Sequence, residues 1–90
     1  MSKFRLAETQ TFLKHIESPA FRGYYEKIKT AIYPILAEHP HYGPNIKRLK
    51  GQLKGIYRYR IGNYRLFYTI DENERRVFIL DFSHRKDAYR

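Results

Sequence analysis

The sequence of 90 residues contains no cysteine, and its 9 acidic side chains are half as many as its 18 basic ones. Without cysteine the chain has no disulfide scaffold, no thiolate metal site and no cysteine nucleophile, which favours a reducing, cytoplasmic location. It also lacks an apolar run near the roughly 20 residues of a membrane span, and no hydrophobic signal segment follows its first residues. We therefore expect a soluble, unprocessed chain without membrane association.

Motifs of several enzyme classes are absent as well. No spacing of His, Asp and Glu resembles a divalent-metal cage, and neither a Walker-type glycine loop nor Gly-x-Ser-x-Gly occurs. The sequence therefore predicts no metal and no small-molecule cofactor. Metal-free chemistry at an RNA phosphate remains open, because the ribose 2′-hydroxyl is then the nucleophile and the protein supplies positioning, charge stabilisation and proton transfer.

Basic charge is concentrated in the second half of the chain. Residues 1–46 hold six basic and four acidic side chains, whereas residues 47–90 hold twelve and five, so +7 of the net charge of +9 follows Ile46. Such an excess favours a polyanionic partner. The alternative is a generally basic surface that only promotes solubility.

Length and apolar periodicity predict one domain over residues 1–90, with helices in its first half. Lys3–Leu6 suits an edge strand, and Thr9–Ile16 has the spacing of a short amphipathic helix. Ser18 and Pro19 restart the chain as N-cap and first turn, and apolar residues then recur at helical steps from Phe21 to Leu36. We expect Pro34 to kink or split this second helix.

After Gly55 the apolar period changes to two, which is typical of strands. Strands are predicted at Ile56–Ile61, Tyr64–Asp71 and Arg76–Ser83. The expected fold class is α+β. It consists of an antiparallel four-stranded sheet, made of the N-terminal strand and a C-terminal three-stranded meander, with two helices packed on one face.

Gly62 and Asn63 form a two-residue hairpin turn, which fixes the register of the strands that it joins. The expected pairs are Tyr57–Tyr68, Arg58–Phe67, Tyr59–Leu66, Arg60–Arg65 and Ile61–Tyr64. The face under the helices should hold Tyr57, Tyr59, Ile61, Tyr64, Leu66 and Tyr68, together with Phe78, Leu80 and Phe82 of the third strand. The opposite face should gather Arg58, Arg60, Arg65 and Phe67, and on the third strand Asp81, Ser83 and Arg85.

The pair Arg60–Arg65 is informative because like charges directly opposed on a sheet destabilise it. Guanidinium groups gathered on one face form a site for phosphate oxygens, to which each presents a planar, bidentate fork. The alternative is that these side chains point into water or pair with Asp81 and Asp87.

Two further basic segments favour the same kind of partner. Lys47, Arg48, Lys50 and Lys54 precede the first long strand in a segment interrupted by Gly51 and Gly55, as a flexible rim that could follow a nucleic-acid backbone. The end of the chain holds His84, Arg85, Lys86 and Tyr89, which offer a proton carrier, positive charge and a stacking ring. A solvated loop and a solubilising tail would have similar composition.

Several segments together resemble the RelE branch of the RelE/ParE toxin superfamily. They are Asn45–Gly51, Gly55–Tyr68, Val77–Leu80 and His84–Tyr89, with the motifs Leu-Lys-Gly, Tyr-Arg-x-Arg-x-Gly-x-Tyr-Arg and His-Arg-x-x-x-Tyr. The resemblance implies a microbial RNase-like fold and a toxin of a type II toxin–antitoxin system. It also implies a cognate antitoxin whose helix and extended segment wrap the toxin, and cleavage of mRNA in the ribosomal A site by 2′-hydroxyl attack. The basic face predicts that the antitoxin is acidic.

The resemblance further implies roles for single residues. Arg65 matches an arginine that holds phosphate, Arg85 one that stabilises or protonates the leaving group, Tyr89 the C-terminal tyrosine and His84 a catalytic histidine. Arg58 or Arg60 replaces a lysine proposed as the base, and arginine cannot be deprotonated in proteins. His84 is therefore the preferred proton carrier, with Lys54 as a weaker candidate.

Two other functions fit the same fold, because fold similarity does not settle activity. One is a ParE-like inhibitor of DNA gyrase without RNA chemistry. The other is an RNA-binding module that does not cleave its ligand.

Overall fold

The computed structural model describes residues 3–85, which form a mixed sheet with helices on one side. None of the helices in this range is long and apolar enough to cross a membrane. The elements in chain order are β1 (Arg5–Glu8), α1 (Gln10–Ile16), α2 (Arg22–Lys27), a π-helical turn (Ile28–Ile32), α3 (Tyr33–Glu38), β2 (Ile46–Arg48), a 3-10 turn (Gly51–Leu53), β3 (Tyr57–Ile61), β4 (Tyr64–Asp71) and β5 (Arg76–His84).

The sheet has five strands in the order β1-β5-β4-β3-β2, and β1 runs parallel to β5 while the other neighbours are antiparallel. The α+β class is confirmed, but the predicted four-stranded antiparallel sheet is wrong in two respects. The segment of β2 was predicted to be part of a flexible rim and not a strand. Three residues are too few to show a period of two. The predicted direction of β1 was wrong because no short turn links β1 to β5. Only the segments between the two strands set the orientation of β1.

The second predicted helix is present in three consecutive pieces. Regular α-helix ends at Lys27, the π-helical turn follows, and Pro34 is the second residue of α3. Proline has no N–H and its ring collides with the carbonyl four residues earlier, here that of Thr30, so the wider turn accommodates it. The predicted split at Pro34 is thus confirmed. The expected start at Ser18 is wrong, because Ser18 belongs to a turn in which its carbonyl accepts from the N–H groups of Phe21 and Arg22.

The hairpin register is confirmed at all five predicted pairs. Side chains of β3 and β4 on the helix side, such as Tyr59, Leu66 and Tyr68, enter a core with Phe12 and Ile28 of the helical layer. The alternation along β3 and β4 therefore decides which residues stay outside the core.

The predicted core residues of β5 are wrong at two positions. Phe67 pairs with Asp81 and Tyr68 pairs with Ile79, so Leu80 is an extra residue, a β-bulge. The bulge reverses the alternation within the strand. On the N-terminal side of it Val77 and Ile79 are buried in place of Phe78 and Leu80, whereas Phe82 beyond it is in the core as predicted.

A carboxylate clasp joins the helices to β1. One oxygen of Glu8, Oε2, accepts hydrogen bonds from the hydroxyl groups of Tyr25 at 2.8 Å and Tyr33 at 2.9 Å. Burial, and then the hydrogen bond with Glu8, raises the pKa of Tyr25 to about 12, and the same causes raise the pKa of Tyr33. The clasp fixes the helical layer over the edge of the sheet.

Candidate nucleic-acid interface

The sheet face opposite the helices, the open face, holds two rows of side chains across the strands. The register places Lys47, Arg58, Phe67 and Asp81 in one row, on β2, β3, β4 and β5. Arg60, Arg65 and Ser83 form the next row. Because the rows are two residues apart along each strand, they are separated by roughly 6.5–7 Å.

Arg60 and Arg65 face each other in the second row. Within residues 3–85 neither forms an ion pair with a carboxylate, and Asp81, which was considered as a partner, pairs with His15 instead. Arg60 is exposed and Arg65 is half-buried. This pair therefore presents two positive charges that a bound anion can bridge.

Backbone carbonyls hold the arginines of the open face in place. The Nη1 atom of Arg58 donates to the carbonyl of Asn45 at 3.0 Å, and the backbone N–H of Arg60 donates to the same carbonyl at 2.9 Å. Nη1 of Arg65 donates to the carbonyl of Tyr64 at 3.3 Å. These contacts fix the guanidinium groups near the sheet, and each guanidinium carries its N–H donors in a planar fork that suits an anion.

Phe67 lies between Arg58 and Asp81 on the open face but exposes only 6% of its surface. It is outside the main core cluster, which lies on the other side of the sheet. With so little of its ring accessible, Phe67 is placed to support the neighbouring side chains and has little area on which a base could stack.

The basic rim does not join the open face as a whole. Lys47 does, but the next residue, Arg48, pairs with Tyr57 and so projects to the helix side. Arg48, Lys50 and Lys54 line a separate surface pocket of about 330 Å³ around Leu49 and Gly51. The structure therefore divides the predicted phosphate-binding residues between the open face and this pocket.

The predicted residues at the end of the chain are also divided. His84 pairs with Tyr64, and its ring contacts the Tyr64 ring edge-on at 5.1 Å, so His84 lies on the helix side of β5. Arg85 is exposed beside the hairpin, where its backbone N–H donates to the carbonyl of Asn63 at 2.8 Å. Lys86 and Tyr89 lie outside the described residues. Among the residues described, no group of three or more His, Asp or Glu side chains is arranged to hold a metal ion.

One pair next to the open face was missed by the sequence analysis. Nδ1 of His15, in α1, lies 2.5 Å from Oδ1 of Asp81. These residues are 66 positions apart, and no local pattern in either segment marks the contact. Only the packing of α1 against β5 brings them together.

Comparison with known proteins identifies the family. The model of the ParE toxin of the type II toxin–antitoxin system parDE matches residues 6–89. The chain belongs to this toxin family. The predicted membership of the RelE/ParE superfamily is confirmed.

Two relatives of this toxin are from Mycobacterium tuberculosis. Toxin RelE is 35% identical over an alignment of 69 residues, and the match covers 72% of this chain and 69% of that protein. Toxin RelG is 46% identical over 44 residues, so that match spans about half of each protein, 49% of this chain and 51% of the relative. The chain is a toxin of a type II toxin–antitoxin system by these similarities and by its family.

A solved structure with the same fold comes from the RelBE2 toxin–antitoxin complex of Mycobacterium tuberculosis. It has a TM-score of 0.69 and 26% identity, and the superposition covers 91% of this toxin and 98% of the matched chain. The agreement extends over almost the whole length of both chains and supports the α+β arrangement described above.

Proposed function

We propose that this toxin is a metal-independent endoribonuclease, which cleaves mRNA by attack of a ribose 2′-hydroxyl on the adjacent phosphate. The observation on which the proposal rests is the opposed pair Arg60–Arg65 on an open sheet face, without a carboxylate partner among residues 3–85. The similarity of the chain to Toxin RelE and Toxin RelG favours the RelE branch of the superfamily.

The proposed roles follow from the positions of the cations. Arg65 and Arg60 bind the phosphate that is attacked, while Arg58 and Lys47 hold the neighbouring part of the RNA backbone. Arg85, exposed beside the hairpin and two residues beyond Ser83, offsets the negative charge that develops on the leaving oxygen. Tyr89 and Lys86 remain predicted contacts with the RNA.

We further propose that the substrate is mRNA in the ribosomal A site, which requires a cytoplasmic location. The open face supplies positive charge and shape but few groups that could read a base, since Phe67 is almost fully buried. A ribosome would present the mRNA in a fixed position and so supply the alignment that a small basic surface lacks.

A cognate antitoxin is the second proposed partner, by analogy with the RelBE2 complex. A segment rich in Asp and Glu would relieve the repulsion between Arg60 and Arg65 and cover the RNA site at the same time. A complex of toxin and antitoxin that leaves both guanidinium groups exposed to solvent would contradict this part of the proposal.

The decisive experiment compares induction of the intact chain with induction of Arg65→Ala and Arg85→Ala, with mapping of transcript ends. We expect the intact chain to arrest translation and to produce cuts in ribosome-bound mRNA, and both variants to lose these effects. Lys29→Ala is the matched control, because it removes a positive charge from the π-helical turn, on the helix side. Arrested growth with intact mRNA would rule out the endoribonuclease.

A second candidate is inhibition of DNA gyrase, which the match to the ParE family model over residues 6–89 favours. In that case induction would produce persistent gyrase cleavage complexes and DNA damage while mRNA stays intact. A third outcome, tight and salt-sensitive RNA binding without cleavage on programmed ribosomes, would indicate a binding module.

A further inference from the structure

The contact with Asp81 orients the imidazole of His15 at the border of the open face. The Nδ1–Oδ1 distance is 2.5 Å, and the side chains are 50% and 33% exposed. Because a carboxylate can only accept, the proton lies on Nδ1, and the lone pair of a neutral ring is then on Nε2. The carboxylate thus fixes both the orientation and the tautomer of His15.

The backbone explains why this pair forms at the edge of the sheet. The pairing of β1 with β5 ends at Ile79, so the later residues of β5 have no strand on that side, and α1 packs there instead. Thr9 anchors the start of α1 by donating from its hydroxyl group to the carbonyl of Ile79 at 2.8 Å. Asp81 also accepts from the N–H of Phe82 at 2.8 Å, which holds its carboxylate at this edge.

The same register places the pair beside the proposed phosphate site. Asp81 ends the row of Lys47, Arg58 and Phe67, and Ser83, two residues further along β5, faces Arg65. The backbone of Asp81 is therefore one row, roughly 6.5–7 Å along the strand, from the position that faces Arg65, and His15 contacts the Asp81 carboxylate. An RNA backbone bound by Arg65 would pass close to His15.

The arginines of this face cannot take up a proton. Arg58, Arg60 and Arg65 stay protonated in proteins. The preferred candidate from the sequence, His84, packs its ring on Tyr64 on the other side of the sheet. His15 has an accessible imidazole, a fixed tautomer and a place at the border of the anion site.

We propose that Nε2 of His15 is the general base that takes the proton from the 2′-hydroxyl, and that Asp81 is its positioning residue. This inference rests on the proposed endoribonuclease function. The 2′-oxygen forms a bond to phosphorus while the bond from phosphorus to the 5′-oxygen breaks. The hydroxyl proton goes to His15, and a solvent proton goes to the departing 5′-oxygen. The products are a 2′,3′-cyclic phosphate and a 5′-hydroxyl.

The test measures single-turnover cleavage of mRNA on programmed ribosomes, and RNA binding in parallel. We expect His15→Gln to lower the cleavage rate by about 10²–10⁴-fold, the usual contribution of a general base, with RNA affinity little changed. Asp81→Asn should lower the rate by about 10–100-fold, as loss of an orienting partner does elsewhere. His41→Gln is the matched control, because His41 forms the same kind of pair with Glu72, at 2.6 Å, away from the open face.

Chemical rescue separates catalysis from structure. Free imidazole should restore part of the activity of His15→Ala and leave the intact chain unchanged, which a merely structural role of His15 would not produce. Cleavage by His15→Gln within about threefold of the intact chain, with no rescue of His15→Ala, would overturn the role of His15 and leave the endoribonuclease standing. Failure of the intact chain to cleave any RNA would overturn both proposals.

Discussion

Arg60 on β3 and Arg65 on β4 lie directly opposite each other on the open face, and within residues 3–85 neither is paired with a carboxylate. Two like charges at this position lower the stability of the hairpin. A phosphate or an acidic partner segment that bridges them removes the repulsion, which links the stability of the fold to occupancy of the site.

The first prediction is that Arg65→Gln stabilises the free chain while it weakens RNA binding. The free energy of unfolding in urea should rise by about 0.2–1 kcal/mol at low salt, and the gain should shrink as salt screens the charges. In RNA titrations the slope of log affinity against log salt should fall by about 0.7, the value for one lost contact with a single strand. Lys54→Gln removes an exposed loop charge and serves as the stability control; an equal gain there would show that net charge alone is responsible.

The second prediction concerns the turn that sets the register. Gly62 has φ of +60°, which an L side chain adopts only at a cost, so Gly62→Ala should lower the free energy of unfolding by about 1–2 kcal/mol. Gly23 lies in α2 with nothing within 4 Å of an added Cβ, so Gly23→Ala should raise it by a few tenths to about 1 kcal/mol. Urea unfolding of both variants checks that the free energy of unfolding changes in opposite directions. An equal decrease in both variants would contradict the conformational explanation.

The third prediction tests the anchor of α1. The hydroxyl group of Thr9 accepts from the N–H of Phe12 at 3.2 Å and donates to the carbonyl of Ile79 at 2.8 Å. Thr9→Val keeps the shape but leaves these groups unpaired, and it should lower the free energy of unfolding by about 1–3 kcal/mol. Thr9→Ser retains the hydroxyl group and should stay within about 0.5 kcal/mol of the intact chain. A loss in Thr9→Ser as large as that in Thr9→Val would show that the hydrogen bonds of the hydroxyl group do not account for the effect.

The fourth prediction is a pH dependence on the alkaline side. Burial and the Glu8 hydrogen bond raise the pKa of Tyr25 from 10.0 to about 12, so the unfolded chain loses this proton at a lower pH than the folded chain. The contribution of Tyr25 to stability should therefore be fully present below pH 10 and should fall as the pH rises from 10 to about 12.

The ultraviolet absorbance of phenolate measures this step, and the difference between the intact chain and Tyr25→Phe isolates it from the other tyrosines. Glu8→Gln removes the negative charge beside the phenol and should move the step toward 10.0. A titration of Tyr25 that is the same with and without the Glu8 charge would show that burial alone accounts for the shift.

The sequence by itself determined the hairpin, its register and the charge of its two faces. The reason is that Gly62 and Asn63 set the turn locally, and alternation along two long strands then assigns every side chain to a face. Arg58, Arg60 and Arg65 could therefore be placed together without coordinates. The split of the second helix at Pro34 was predictable in the same way, because the proline acts on its own chain within one turn.

Only the tertiary structure decided the features that depend on contacts between distant segments. The parallel pairing of β1 with β5, the short strand β2 and the bulge at Leu80 have no local signature. Because of the bulge, the prediction that Phe78 and Leu80 lie in the core was wrong. The bulge and the end of β1 also give Asp81 its place at the edge of the sheet, where α1 brings His15 to it across 66 residues. A turn is determined by its neighbours in the chain, whereas a histidine and a carboxylate from separate elements meet only once the core has fixed how those elements pack.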